Sequence, residues 1–408
     1  MQHIKINFAS LGLLLMSIYI FMSYNAVDIV LPSILSSIAL YLFLAFSVFF
    51  ILINIKSNKM KISAYSTWYV IFLIISMLTM IYSPEQNLLS GEFYLMIVAF
   101  VLTFFIQVFI RSERSFALMC WVYSISSTAL ILTLIATGNM IADTGNRLGG
   151  DFMGNANTFA CSVMVAVMYT IWLLIYQKNK FVTKILLFGM IILDYYALIL
   201  SAGRKFFVLP FVFLYVLLLF KADKKGRKHI ILYTLLVGAI VAAAMFLIMK
   251  VPLFYNTIGY RMESYINGIR GLEEHGTSAA IRKEMQQIAL KKWPERPLFG
   301  HGFDSFKYYC ATVTGHFFYS HCNYTELLYN GGIICFLIYY FVYWIILKNA
   351  LILKKGQQKY RAFAIGIALS FLVFDYGAVS YSLSVIQIML AMSLQVLKIQ
   401  DKKQNALE

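Results

Sequence analysis

The sequence predicts an all-α polytopic membrane protein with about twelve transmembrane helices and one long extracytoplasmic loop that contains an amphipathic helix. Three observations predict it. The 408 residues are 61% hydrophobic and 13% charged, with a mean hydropathy of +0.76, whereas a soluble globular domain is about 45–50% apolar and about 25% charged. The apolar residues are gathered into long runs, and a bilayer-spanning helix needs about 20 of them in succession. The charges fall in short clusters between the runs, so the net charge of +16 marks cytoplasmic loops and not a nucleic-acid surface. Soluble, disordered, coiled-coil and small disulfide-scaffold classes are excluded.

The runs occupy 7–24, 30–54, 64–82, 92–110, 115–136, 157–176, 181–200, 205–220, 230–249, 329–347, 361–379 and 382–398. The first comes after Met1-Gln2-His3-Ile4-Lys5 without a small-x-small cleavage site, and reads as a retained anchor. Residues 1–249 therefore hold nine helices, 250–328 the extracytoplasmic loop, and 329–408 three more helices and a cytoplasmic tail. With the N-terminus inside, most of the 34 Lys and Arg fall on the inner side, in clusters such as Lys56-Lys59-Lys61, Lys178-Lys180-Lys184, Lys221–Lys228 and Lys348–Arg361. Trp68, Trp121, Trp172 and Trp344 lie near the same helix ends. Both features place the two termini in the cytoplasm. Cys120, Cys161 and Cys335 sit in apolar runs and read as packing residues. Cys310 and Cys322 share a polar segment and would pair only if it faces an oxidising compartment.

Two outer segments stand out. One, at 137–156, is rich in Gly and Asn; the other is the long segment 250–328. Polar segments of this length between packed elements usually carry function. Within the longer one, Ile281, Met285, Ile288, Ala289 and Trp293 recur at helical spacing, and Pro294 and Pro297 stop the helix. Such a helix lies on the membrane surface or roofs a cavity. No internal repeat of fixed period is evident.

Few residues carry chemistry. Arg204, in Ser201-Ala202-Gly203-Arg204-Lys205, occupies a short break between two apolar runs. A planar guanidinium at that depth snorkels to the interface or binds an anionic group such as phosphate. Four of the six histidines (His275, His301, His316 and His321) fall in the long segment. His321 immediately precedes the tenth helix, whose start fixes its direction and favours anions, and imidazole is the usual proton acceptor near neutral pH. Arg282 opens the amphipathic helix; Arg147 lies in the Gly/Asn-rich loop; each alone reads as a solvated charge. Asp194 is the outlying intramembrane acid and reads as structural ahead of an ion-pathway residue. No His, Cys or carboxylate spacing suits a metal.

Four stretches together resemble the bacterial O-antigen polymerase and O-antigen ligase family. They are Arg147-x-x-Gly150-x-Phe152 with Asn155 and Asn157; Gly203-Arg204 after an apolar run; Arg282 to Trp293 followed by Pro297-Leu298-Phe299-Gly300-His301-Gly302 and Phe306; and His321-x-Asn323-Tyr324-x-Glu326-Leu327-Leu328-x-x-Gly331-Gly332. The sequence departs from the family at Cys322 and Cys335, which favours the polymerase branch over the ligase branch. The resemblance implies a GT-C-like, cofactor-free and metal-independent glycosyltransferase of the bacterial cytoplasmic membrane, acting on its extracytoplasmic face. It implies a polyprenyl-diphosphate-linked oligosaccharide as donor and another as acceptor, within membrane lipid, with a chain-length regulator protein as a further partner and no nucleic acid. It places Arg204 and Arg282 on the diphosphate, His321 as base, and Arg147, Asn155, Asn157, Tyr324, Glu326 and His301 in substrate binding. A flippase or transporter would explain twelve helices too, but should show polar groups at mid-membrane and two similar halves. Asp28 is the only acid in the first outer loop, where another glycosyltransferase class keeps its base, and nothing around it suggests a diphosphate site.

Overall fold

A computed structural model describes residues 8–54, 62–84, 86–88, 91–141, 146–222, 226–270, 278–353 and 357–405, and among them it is helical with no strand. Nine helices precede the long segment: α1 (Phe8–Asn25), α2 (Ile34–Asn54), α3 (Ala64–Met80), α4 (Gly91–Phe109), α5 (Glu113–Ala136), α6 (Ala156–Tyr176), α7 (Phe181–Leu200), α8 (Arg204–Ala222) and α9 (Arg227–Lys250). The segment itself holds α10 (Pro252–Phe254), a π turn (Tyr255–Gly259), α11 (Tyr260–Ile269), α12 (Ser278–Lys292) and α13 (Phe306–Thr314). The chain then runs through α14 (Asn323–Ile352), α15 (Gln358–Asp375) and α16 (Ser384–Asn405). Each of the twelve apolar runs falls on one helix. Among the described residues, nine of these helices are long and apolar enough to cross a bilayer; α3 has only 17 residues, and α15 and α16 carry charges near an end. By length and composition the chain is a multi-pass membrane protein. The cationic groups at Lys56, Lys59 and Lys61, and His275, lie outside the described residues.

The apolar runs bury themselves around α6, which packs against α5, α7 and α8, while α15 packs against α8, α14 and α16. Aromatic rings lock this centre: Phe116 meets Trp172 and Phe363 edge-on at 5.1 and 5.0 Å. Asp194 is fully buried in α7, and one of its oxygens accepts the Ser127 hydroxyl at 3.0 Å. Asp28 accepts the backbone N–H of Ser33 at 2.8 Å just before α2, which holds its carboxyl below the usual carboxylate range. All five cysteines are buried thiols; Cys310 lies against Met285, so it does not meet Cys322.

The amphipathic helix forms as its spacing predicts. It neither floats on a surface nor stands alone: Met285 and Ala289 of α12 are buried with Phe306 and Cys310 of α13 and Tyr329 of α14. The chain beyond α12 then meets a break in another helix. Helix α14 is interrupted at Gly332, whose φ of 65° and ψ of −171° are not helical. The interruption frees backbone groups that would be costly to leave unpaired in an apolar setting. The segment Pro297–Gly302 supplies their partners. His301 and Gly302 donate N–H bonds to the carbonyls of Tyr329 and Asn330 at 2.8 and 2.9 Å, and Ile333 donates to Pro297 at 2.9 Å. The approach is so close that a Cβ on Gly332 would lie 2.3 Å from the Leu298 carbonyl oxygen, and one on Gly300 would lie 2.5 Å from that of Tyr329. The glycines of both motifs are thus two sides of one joint.

Gly332→Ala should therefore destabilise the protein by more than the roughly 1–3 kcal/mol that a sparsely populated backbone conformation costs, because the Cβ also overlaps backbone that cannot move aside. Thermal unfolding of the purified variant in detergent, compared with Gly138→Ala, where φ is also positive but a Cβ would meet nothing within 4 Å, measures it.

Candidate active site

At the end of the bundle where α6, α8 and α14 begin, Arg147, Arg204 and His321, from separate parts of the chain, each come within electrostatic reach of Arg282. Arg147 feels the charges of Arg261, Arg282 and Arg204; His321 feels those of Arg282 and Lys205. The structure thus brings Arg147, Arg204, Arg282 and His321 together and adds Lys205 and Arg261. All six side chains are half-buried.

Local structure explains the placement. Helix α7 ends at Leu200 and α8 starts at Arg204, with Ala202 in a left-handed turn at φ 53°. The turn puts Arg204 and Lys205 in the first turn of α8, where the helix dipole is already positive. Two cations there raise the energy of the free protein and suit a bound anion. The Arg204 guanidinium donates to the Arg261 carbonyl at 2.5 Å and lies 5.0 Å from the Tyr265 ring centre. Lys205 donates from Nζ to the Gly377 carbonyl at 2.6 Å and lies between the rings of Phe206 and Phe374. Arg147 donates from Nε to the Ser201 carbonyl at 2.8 Å and from Nη2 to Asn157 Oδ1 at 2.9 Å. Arg261 reaches the Ala202 carbonyl at 3.4 Å. Every one of these acceptors is an uncharged carbonyl. Among the described residues none of the five cations forms an ion pair, so the group keeps its positive charge. Burial and the neighbouring arginines push the Arg147 guanidinium down to about 10 and lower that of Arg282.

His321 has φ 57° and occupies a closed turn. The Ser320 hydroxyl bonds the Cys322 carbonyl at 2.9 Å, and the Ser320 N–H donates to Glu326 Oε2 at 2.8 Å. Glu326 Oε1 in turn accepts from Asn330 at 3.1 Å, and Asn330 Oδ1 accepts the N–H of Phe306 at 3.1 Å. Burial, reinforced by Arg282 and Lys205, pushes the His321 imidazole down to about 4. It is neutral at physiological pH and able to accept a proton.

The remaining expected substrate contacts are placed differently. Asn155 caps α6 by accepting the Asn157 N–H at 2.8 Å, and Asn157 orients Arg147. Glu326 is fully buried with both oxygens occupied, so it shapes the His321 turn. Tyr324 donates to the Leu372 carbonyl at 2.7 Å and stacks on Tyr340. His301 stacks on Tyr329 at 4.7 Å and meets the Lys292 carbonyl at 3.0 Å, beside the α14 joint. The apolar groove of about 540 Å³ along Leu78, Tyr82 and Arg296–Gly300 lies against α3 and that joint, and none of the clustered cations lines it. Lys205 is visible in the sequence only as a second cation beside Arg204. Arg261 carries no signal, because its partner, the Ala202 carbonyl, lies 59 residues away.

Residues 189–340 match the family model described as O-antigen ligase. Over that segment, less than half of its length, the chain is similar to the O-antigen ligase family. That segment contains Arg204, Lys205, Arg261, Arg282 and His321, together with the α12–α14 joint, and agrees with the O-antigen polymerase and ligase resemblance of the sequence motifs. Arg147 and its asparagines lie before it. No curated protein matches the chain. Among the described residues no group of three or more His, Cys, Asp or Glu is arranged to hold a metal ion.

Histidine-labelled protein should show His321 titrating near pH 4, against about 6.5 for an unperturbed side chain. Arg282→Gln should move that midpoint upward, since removing an opposing charge makes the imidazolium less unfavourable; NMR titration of the two proteins reads the difference.

Proposed function

We propose that the chain is a polymerase that joins polyprenyl-diphosphate-linked oligosaccharide repeat units into capsular polysaccharide or O-antigen. The single observation that supports it is the cluster of half-buried cations, hydrogen-bonded to uncharged groups, next to a neutral histidine. A diphosphate carries the complementary charge, and its departure needs that charge stabilised more than it needs a proton. In the reaction an acceptor hydroxyl oxygen attacks the anomeric carbon of the donor sugar. The bond from that carbon to the diphosphate oxygen breaks, its electron pair leaves with the polyprenyl diphosphate, and His321 takes the hydroxyl proton. Arg204 and Arg282 bind the diphosphate, with Lys205, Arg147 and Arg261 adding positive potential. We read the cluster as facing the extracytoplasmic side, with twelve crossings and both termini in the cytoplasm, from the distribution of Lys and Arg.

A second reading, a ligase that moves finished glycan to another carrier, is favoured by the description of the matched family model. The departures at Cys322 and Cys335 favour the polymerase. The two differ in product, not in chemistry.

Purified protein given a synthetic lipid-diphosphate repeat unit, without nucleotide, should produce a ladder of longer lipid-linked glycans. Single-step transfer to a different carrier would support the ligase instead. His321→Ala should lower the rate by about 10²–10⁴-fold, the usual worth of a general base. Arg204→Ala or Arg282→Ala should cost roughly 10²–10³-fold, as for loss of a group that stabilises developing charge. Asp28→Asn should leave the rate nearly unchanged; loss of activity there with retention in His321→Ala would reverse the assignment.

A further inference from the structure

Beside the cation cluster, between α13 and α14, lies a run of uncovered aromatic rings that takes no part in the bond-making and bond-breaking above. Phe317, Phe318 and Tyr319 are 66%, 36% and 37% exposed. Leaving large rings uncovered forgoes the free energy of burying them, and grouped exposed apolar surface marks a binding region. The run is anchored at both ends. Gly315 closes α13 with φ 77°, donating to the Ala311 carbonyl at 2.9 Å, and Ser320 is tied to Glu326. Within it, Phe317 stands edge-on to Tyr308 at 5.7 Å, and Phe318 lies between His316 at 5.5 Å and His321 at 6.4 Å. The Tyr319 hydroxyl interacts with the Glu92 carboxylate, which is also close to Asp304.

We propose that this platform is the subsite for the acceptor glycan, an inference that rests on the glycosyl-transfer reading above. Pyranose rings present flat C–H faces that lie on aromatic rings and hydroxyls that bond carboxylates and phenols, and the platform offers both. Phe318 is in ring contact with His321, so a sugar stacked on it brings a hydroxyl to the base. At its Tyr319 end the run adjoins the acids Glu92 and Asp304, with Lys307 ion-paired to Asp304 at 2.7 Å, which favours an uncharged sugar over an anionic headgroup at that end; the uncompensated cations adjoin its His321 end. The donor, with its diphosphate, goes to the cations; the acceptor goes to the rings.

The experiment uses the full chain in detergent or nanodiscs with two probes. One is the synthetic lipid-diphosphate repeat unit; the other is the same oligosaccharide without lipid or diphosphate. Saturation-transfer NMR on the wild type should show the free oligosaccharide receiving magnetisation from aromatic protons. Phe318→Ala should abolish that signal and raise the acceptor KM roughly tenfold, the scale of one lost aromatic contact, with kcat within about threefold and Phe318→Trp restoring both. Phe317→Ala should act in the same direction, with a smaller effect. An unchanged acceptor KM with an unchanged NMR signal overturns the proposal, and so does a fall in kcat alone, which would make Phe318 a support for His321. Quenching of the indole fluorescence gained in Phe317→Trp by spin-labelled lipid would assign the rings to the membrane and equally overturn it. A wild type that forms no glycan product overturns the enzymatic reading instead, so the two failures are separable.

Discussion

Positive charges gathered without counter-ions repel, and the rest of this architecture holds them in place despite that. Arg147, Arg204, Lys205 and Arg261 are fixed by the carbonyl oxygens of Ser201, Arg261, Gly377 and Ala202, not by carboxylates. A carbonyl dipole orients a cation without cancelling it. The field at this end of the bundle therefore remains positive, and in half-buried surroundings such a field acts more strongly than it would in water. A carboxylate at any of these positions would stabilise the empty protein and weaken its hold on an anion.

The scaffold that fixes these carbonyls depends on tight backbone turns. The left-handed Ala202 lets α8 begin immediately after α7, which places two cations at a helix N-terminus. The Pro297–Gly302 segment inserted against the broken α14 ties α12, which carries Arg282, to the same helix whose start carries His321. Asn330 links that helix to the start of α13, and Glu326 links it to the His321 turn. A change at the joint would be felt by base and cation together.

The same positive field acts on His321. With Arg282 and Lys205 nearby, imidazolium is disfavoured, so His321 is held in its proton-accepting form. In the proposed reaction the same cations would bind the diphosphate and keep His321 unprotonated. Aromatic Phe318 beside His321 and the acid Glu92 beside Tyr319 give the neighbourhood of His321 a second character.

How much of this is legible in the sequence depends on the range of each interaction. The helices are readable, because an apolar run that must satisfy its own backbone in lipid has one local solution. The face of α12 is readable too, since Ile281, Met285, Ile288 and Ala289 recur at helical spacing. Arg204, Arg282 and His321 stand out by position, but their meeting does not. Glu326 reads as a substrate contact, and the structure buries it against Ser320 and Asn330, since a buried carboxyl closing a turn looks the same in sequence as an exposed one. Arg261 is invisible, as are the carbonyls that hold the cluster, because a backbone acceptor has no residue type to betray it. Composition and periodicity determined the helices; only the packing of distant turns decided which charges share a field, because that field depends on distances in space that no spacing along the chain encodes.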